Sequence, residues 1–230
     1  MIPRVVGEGD LAGFTAGQLL DVMTAVTMIL SLPQSAADHV DALAVPTGQG
    51  EQWRLIHAIS HWEAHPDLRY LLVANGNPTE ATYVDITLDY LRGLGLRRID
   101  GVHLQTEPAP NTSRQAEWIV DRVREHGITS LALAVSPYHL PRAYLTLLKA
   151  CLNSGIRLPL IPVPVAVPPD APVPETATTA YALIPGEVHR IITYTDKGWV
   201  ATPEELRQYL QWLWNRPSMR RRTRCLPDQA

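Results

Sequence analysis

The chain is predicted to be an α/β protein: a three-layer Rossmann-like domain with a mostly parallel sheet and extra helices at its N- and C-terminal ends. Three observations predict it. From residue 41 onward, short β-rich runs alternate with helical stretches, the pattern of βαβ units around a parallel sheet. Gly95, Gly127 and Gly155 each follow a periodic apolar run, where a left-handed residue closes the last helical turn without a Cβ penalty. Four strand-like runs end in polar clusters, and in an open parallel sheet the carboxyl ends of all strands lie along one edge.

Taken in order, residues 1–38 form an N-terminal helical extension. Within it, residues 19–32 are apolar, but Asp21 and two threonines interrupt the run. It is also shorter than the roughly 20 residues of a spanning helix, and no basic flank or cleavage site accompanies it. An amphipathic packing helix is expected, and no membrane span. The Rossmann-like domain then occupies residues 39–200. Strands are expected at 42–46, 70–74, 101–105, 131–135 and 158–163, with helices at 51–63, 80–94, 113–126 and 141–153 between them. Thr112 precedes Ser113-Arg114-Gln115, a Thr-x-x-Gln start that fits a capping box. Six prolines fall between Pro162 and Pro174, which excludes a regular helix or central strand over 162–174 and predicts an extended lid or connector. Residues 180–194 and 203–214 read as helices, the second with Leu206, Tyr209, Leu210 and Leu213 at helical spacing. A C-terminal helix therefore fills 201–216, and a basic tail, 217–230, carries Arg220-Arg221-Arg222-Thr223-Arg224. No internal repeat is present.

Composition narrows the function. With 230 residues and 46% hydrophobic content the chain can bury a full core. A net charge of −3 lacks the basic excess of a duplex-binding surface, so no nucleic acid is expected. Cys151 and Cys225 stand far apart with no Cys-x-x-Cys pair, which argues against a disulfide framework or zinc site and for a cytoplasmic location. The Pro-rich segment and the basic tail are the two places where a protein partner could dock.

The polar clusters carry the chemistry. Thr47-Gly48-Gln49-Gly50 leads from a strand into a helix opening with Glu51-Gln52-Trp53-Arg54. Glycines let backbone N–H groups approach an anion at a helix N-terminus, and Arg54 offsets Glu51; a plain tight turn is the other reading. Asn75-Gly76-Asn77-Pro78 repeats the arrangement, with Thr79 placed to cap the next helix and Glu80 in its first turn. Glu107 follows the third strand, and Asn111-Thr112 begin the next helix. A carboxylate there suits a ribose diol or a general base, and Asn111 is also a natural N-cap. Ser136-Pro137-Tyr138-His139-Leu140-Pro141-Arg142-Ala143 is the densest set. Arg142 can hold phosphate or carboxylate in a bidentate grip, and an imidazole such as His139 titrates near neutrality. Glu107 and His139 are the candidate acid–base pair. Thr47, Gly48, Gly50, Arg54, Asn75, Gly76, Glu80, Asn111, Thr112, Ser136, Tyr138 and Arg142 are the candidate ligand contacts. His57, His61 and His65 share a helical stripe, but no carboxylate or cysteine falls on it while Leu55, Ile59 and Trp62 face the sheet, so no metal site is expected. The chain has no Gly-x-Ser-x-Gly elbow, Walker loop or His-Glu-x-x-His motif, and no acidic residue ends the second strand, which argues against ordinary NAD chemistry.

In sequence order these residues resemble the ElyC/SanA/YdcF family, long catalogued as a domain of unknown function. The likeness runs over about residues 40–195. It is carried by the strand and loop 41–50, Arg54-Leu55, Ala74-Asn75-Gly76, Glu80-Ala81, Glu107 with Asn111-Thr112, and Ser136 to Ala143. Glu187 and Arg190 are similar to the family's late Glu-x-x-Lys helix. The chain departs from the pattern in Thr47-Gly48-Gln49-Gly50, in Gly76-Asn77, and in a shorter segment before Asn111 that lacks its serine. The resemblance implies a Rossmann-like fold, an S-adenosylmethionine-type or nucleotide-type ligand, and for some members a link to the bacterial cell envelope. Two functions follow as expectations. One is an enzyme acting on a small anionic, nucleotide-, nucleoside- or phosphosugar-like substrate. The other is a non-catalytic sensor of such a ligand.

Overall fold

The structure, a computed structural model, describes residues 5–216. The basic tail and Cys225 lie outside the described residues. The main sheet has five strands: β1 (Ala42–Pro46), β2 (Tyr70–Ala74), β3 (Val102–Leu104), β4 (Leu131–Val135) and β5 (Leu160–Pro164). They run in the order β3-β2-β1-β4-β5, and every pairing is parallel. The connecting and flanking helices are α1 (Ala16–Leu30), α2 (Gln52–Ala64), α3 (Leu88–Gly93), α4 (Thr112–Glu125), α5 (Leu140–Asn153), α6 (Ile184–Asp196) and α7 (Pro203–Trp214). This is the expected three-layer Rossmann-like α/β architecture.

The layers follow from the alternation of side chains along each strand. Ala42, Ala44, Leu72, Ala74, Leu131, Leu133 and Val135 face a core shared with α1, α4, α5, α6 and α7. Leu43, Val45, Leu71, Val73, Ala132, Ala134, Ile161 and Val163 face the other side, against α2 and α3. Both faces are covered, so the strands read as continuous apolar runs. Fully burying one Val, Leu or Ile contributes about 1.5–3 kcal/mol, and β1 and β4 are buried along their whole length. The terminal helices belong to this packing. Val22, Ala25 and Ile29 of α1 and Leu206, Tyr209, Leu210 and Leu213 of α7 enter the first core. No helix among the described residues is long and apolar enough to cross a membrane.

The chain order reverses direction at β1, whose neighbours are β2 and β4. Connections on one side of this point pass over one face and those on the other side over the opposite face. The loops after β1 and β4 diverge there and leave a crevice.

Local expectations are corrected at residues 79–87, at the start of α4 and at 181–183, and the Pro-rich run gains detail. The helix expected at 80–94 shortens to Leu88–Gly93, capped by Thr87, whose side chain accepts from Tyr90 N at 3.1 Å. β-Branched Thr82, Val84 and Ile86 weaken the helix before that point. Glu175 also takes the Ala81 and Thr82 amides at 3.1 and 2.9 Å, holding them in a loop. Glu80 therefore sits on a loop, and Thr79 bonds Asn77 rather than capping a helix. At α4 the cap is Asn111, accepting from Arg114 N at 3.0 Å, with Thr112 already inside the helix. The helix expected at 180–194 begins as a 3-10 turn, Tyr181–Leu183, and becomes α-helical only at Ile184. The Pro-rich run is not wholly irregular: Pro162 and Pro164 lie in β5, an edge strand that tolerates missing N–H groups. Beyond it, β6 (Pro172–Val173) and β7 (Thr178–Thr179) form a short antiparallel hairpin. The same connector meets the first loop, Glu175 N donating to Gln49 O at 3.2 Å.

Candidate functional site

The loop after β1 runs through three successive positive φ angles, at Gly48, Gln49 and Gly50. This backbone faces Glu80, and Gln49 N donates to Glu80 Oε2 at 2.6 Å. The place where a helix N-terminus would receive an anion is thus filled by a side-chain carboxylate. Glu51, the N-cap of α2, is buried and ion-paired with Arg54. Ser136 joins this pair: its hydroxyl donates to Glu51 Oε1 at 2.9 Å and accepts from Trp53 Nε1 and Arg54 Nε at 2.9 and 3.1 Å. Burial lowers the Arg54 pKa. Because Glu51 neutralises it, Arg54 brings little free charge to a ligand. Together these groups lock the β1 and β4 loops to one another across the switch point.

Gln115 ties in the neighbouring strand, its Nε2 donating to the Thr47 and Asn75 carbonyls at 2.7 and 2.8 Å. The residue read as the far half of a capping box therefore braces two strand ends instead. Gly76 approaches so closely that a Cβ there would stand 3.3 Å from Gly48 Cα.

The start of α5 carries the charged centre. Pro141 sits at the helix opening, where its missing N–H has no intrahelical partner to lose. Arg142, one turn in, donates to Glu187 of α6 through Nε at 2.5 Å and Nη2 at 3.2 Å, and to Thr112 Oγ1 at 3.2 Å. Arg190 donates to the same carboxylate at 3.0 Å. His139 Nδ1 lies 3.2 Å from Glu187 Oε2 and 3.1 Å from Arg142 Nη2, so it either donates to the first or accepts from the second. Burial would raise the Glu187 pKa, but Arg142 and then His139 overcome this and hold it far below the usual carboxylate range. Burial and then the Arg142 charge push His139 down to about 4, with Glu187 opposing. At neutral pH the imidazole is uncharged and a weak base.

These elements enclose a cleft of about 570 Å³. Of the residues singled out in the sequence, Thr47, Gly48, Arg54, Glu80, Asn111, Thr112, His139 and Arg142 line it. Gly50 and Gly76 line a smaller cavity of about 180 Å³, whose wall also includes Thr47, Gly48, Glu80 and Pro174. Asn75, Ser136 and Tyr138 are buried supports that line neither cavity. Asn75 bonds Gln105, Gly76 and Tyr83. Tyr138 packs with Val173, Ala180 and Leu183, and burial raises its pKa. Glu107 is exposed on the bend after β3 and lines neither cavity, because Gln105 rather than Glu107 turns inward there. Two carboxylates line the cleft: Glu117, paired with Arg114, and Glu80, half-buried, its pKa raised by burial against the Gln49 amide.

The chain's local pattern did not signal Gln115, Arg190, Tyr194 and Trp199 as cleft residues. Only the resemblance pointed to Glu187 and Arg190. Tyr194 stands one turn beyond Arg190 on α6, its ring 5.9 Å from the Arg142 guanidinium. Among known proteins, no family model and no curated sequence matches the chain.

Proposed function

We propose that this chain is a cytoplasmic enzyme that binds a small anionic substrate of the nucleotide, nucleoside or phosphosugar class in the cleft at the carboxyl ends of the strands. The observation that carries the reading is a charge imbalance. Arg142 and Arg190 share the single Glu187 carboxylate, and both line the cleft, so one guanidinium charge is left for a ligand. Across the cleft, Glu80 accepts well from ligand hydroxyls, as a sugar would supply. A phosphate on the arginines and a sugar on Glu80 account for both walls. Glu80, with its raised pKa, is then the acid–base candidate in place of Glu107, and neutral His139 orients Arg142.

A thermal-shift screen with nucleotides, S-adenosylmethionine and sugar phosphates tests this. Ligand at about 100 times its Kd adds about 2.7 kcal/mol of stability, a shift of several degrees for a chain this size. Arg190→Gln is expected to abolish the response to phosphorylated ligands. An undiminished response would remove the arginines from the site. Turnover of the ligand so found, lost in Glu80→Gln with binding retained, is expected for an enzyme.

The pKa of His139, about 4, favours a second reading, because a pair locked as Arg142–Glu187 suits recognition better than proton transfer. On that reading the protein senses an S-adenosylmethionine- or nucleotide-type ligand and signals to a partner through the Pro-rich connector or the basic tail. Tight binding without turnover, and a partner lost on truncation at Pro217, distinguish it. Membership of the ElyC/SanA/YdcF family, with its bacterial envelope connection, belongs to the same proposal.

A further inference from the structure

We propose that Asp38, His61 and His65 form a binding site for a divalent transition-metal ion of the zinc class, separate from the cleft. The three side chains each offer one ligand atom, and these atoms lie within 4.8 Å of one another. Asp38 Oδ1 stands 3.3 Å from His65 Nε2 and 3.9 Å from His61 Nε2. The stripe of histidines lacks a carboxylate of its own. Folding supplies one from the 3-10 turn Gln34–His39, which no helical spacing could signal.

Two details fit a metal better than a chance cluster. His65 Nδ1 lies 2.8 Å from the His61 carbonyl, and a proton on Nδ1 there leaves the Nε2 lone pair free toward Asp38. His61 Nε2 is buried without a well-formed hydrogen bond, its distance to Asp38 being too long for one, although the ring also lies close to the Ala37 backbone. An ion placed between the three groups would give that nitrogen a partner. Two imidazoles and one carboxylate, with Asp38 at 41% and His65 at 30% side-chain exposure, leave room for water to complete a tetrahedral shell. The nitrogen donors select against Mg²⁺.

The position assigns a structural role. α2 starts at the crevice edge and runs back to the opposite end of the sheet, about 20 Å for 13 residues. An ion at its last turn would pin the segment that follows α1 onto the end of α2, where the helix dipole also favours positive charge.

The test is calorimetric titration of Zn²⁺ into tag-free, chelator-treated protein near neutral pH, with Mg²⁺ as control. One Zn²⁺ per chain is expected, with no Mg²⁺ binding. Asp38→Asn and His65→Gln should each weaken Zn²⁺ at least tenfold, and His57→Gln, one turn nearer the crevice, should not. Zn²⁺ should also raise the melting temperature of the parent protein but not of Asp38→Asn. Both variants alter half-exposed groups, so they remain informative even if substitutions at His61 do not fold. Binding below one equivalent, or affinity unchanged in both variants, would overturn the site.

Discussion

Glu187→Gln is the substitution with the largest expected consequence. The carboxylate is 3% exposed and accepts from both Arg142 and Arg190, with His139 Nδ1 at 3.2 Å. Glutamine has nearly the same shape, but it removes the charge and replaces one acceptor by a donor. Arg142, only 10% exposed, is left as a buried cation without its counter-ion. Breaking a buried pair in this way costs about 3–5 kcal/mol, whereas an exposed pair is worth up to about 1 kcal/mol. The lower end applies here, because Arg190 stays partly solvated. A loss of about 3 kcal/mol lowers the melting midpoint by roughly 6–12 °C for a chain of this length. Urea denaturation with an unchanged m-value is the assay. The double variant Glu187→Gln/Arg142→Met removes the stranded cation and should recover at least about half of the loss, as replacement of buried pairs by apolar groups does. The pH dependence has a fixed sign. The Glu187 pKa is depressed by folding, so its contribution is full above the ordinary carboxylate range and is lost as pH falls through the folded value. The variant should lack this acid limb. A loss below about 1 kcal/mol, with the double variant no different, refutes the argument.

Three further outcomes are expected. His139 titrates at about 4 in the fold against about 6.5 unfolded, so the unfolded chain holds the extra proton between those values and stability rises with pH across them. The gap of about 2.5 pH units, at about 1.4 kcal/mol each, amounts to about 3 kcal/mol, and His139→Gln should flatten the profile; an unchanged slope would contradict the assignment. Gly50→Ala places a Cβ 2.8 Å from Thr82 Cβ and 2.9 Å from Pro174 Cβ at a φ of +69°, and should lose roughly 2 kcal/mol or more. Gly127→Ala, with a φ of +60° and open space around it, should lose less, and equal losses would show that crowding is unimportant. Thr202→Ala removes the cap that accepts from Glu205 N and should lower stability by about 1 kcal/mol in thermal melts, a neutral result showing the capping box to be idle.

Much of the frame is legible in the chain because it rests on local rules. Continuous apolar runs such as 42–46 and 131–135 can be stable only when covered on both faces, and α/β alternation then makes the sheet parallel. Gly95, Gly127 and Gly155 all take positive φ at helix ends, where the missing Cβ is the whole reason for their use. Residues 80–87 form a loop rather than the expected helix, and what anchors that loop is Glu175, more than ninety positions from Ala81 and Thr82, which binds both amides and the Thr82 hydroxyl. Periodicity carries no trace of such a partner.

The same division holds at the cleft. That polar segments such as those of Thr47 and His139 lie along one edge of a parallel sheet is visible in the sequence, while the strand order that sets the loops after β1 and β4 on either side of a crevice is not. Nor is which carboxylate faces inward. Glu80 and Glu107 are both glutamates that follow successive strands, yet Gln105 takes the inward position after β3 while the Gln49 amide draws Glu80 into the cleft. Likewise Arg142 looked like a free anion clamp until α6 brought Glu187 against it, and His61 and His65 lacked a carboxylate until the turn before β1 brought Asp38 alongside. Composition and period thus determine which backbone forms, because they act through neighbours in sequence. Charge pairing, burial and side-chain direction are decided by groups far apart in the chain, and only the folded structure brings those groups within a few ångströms.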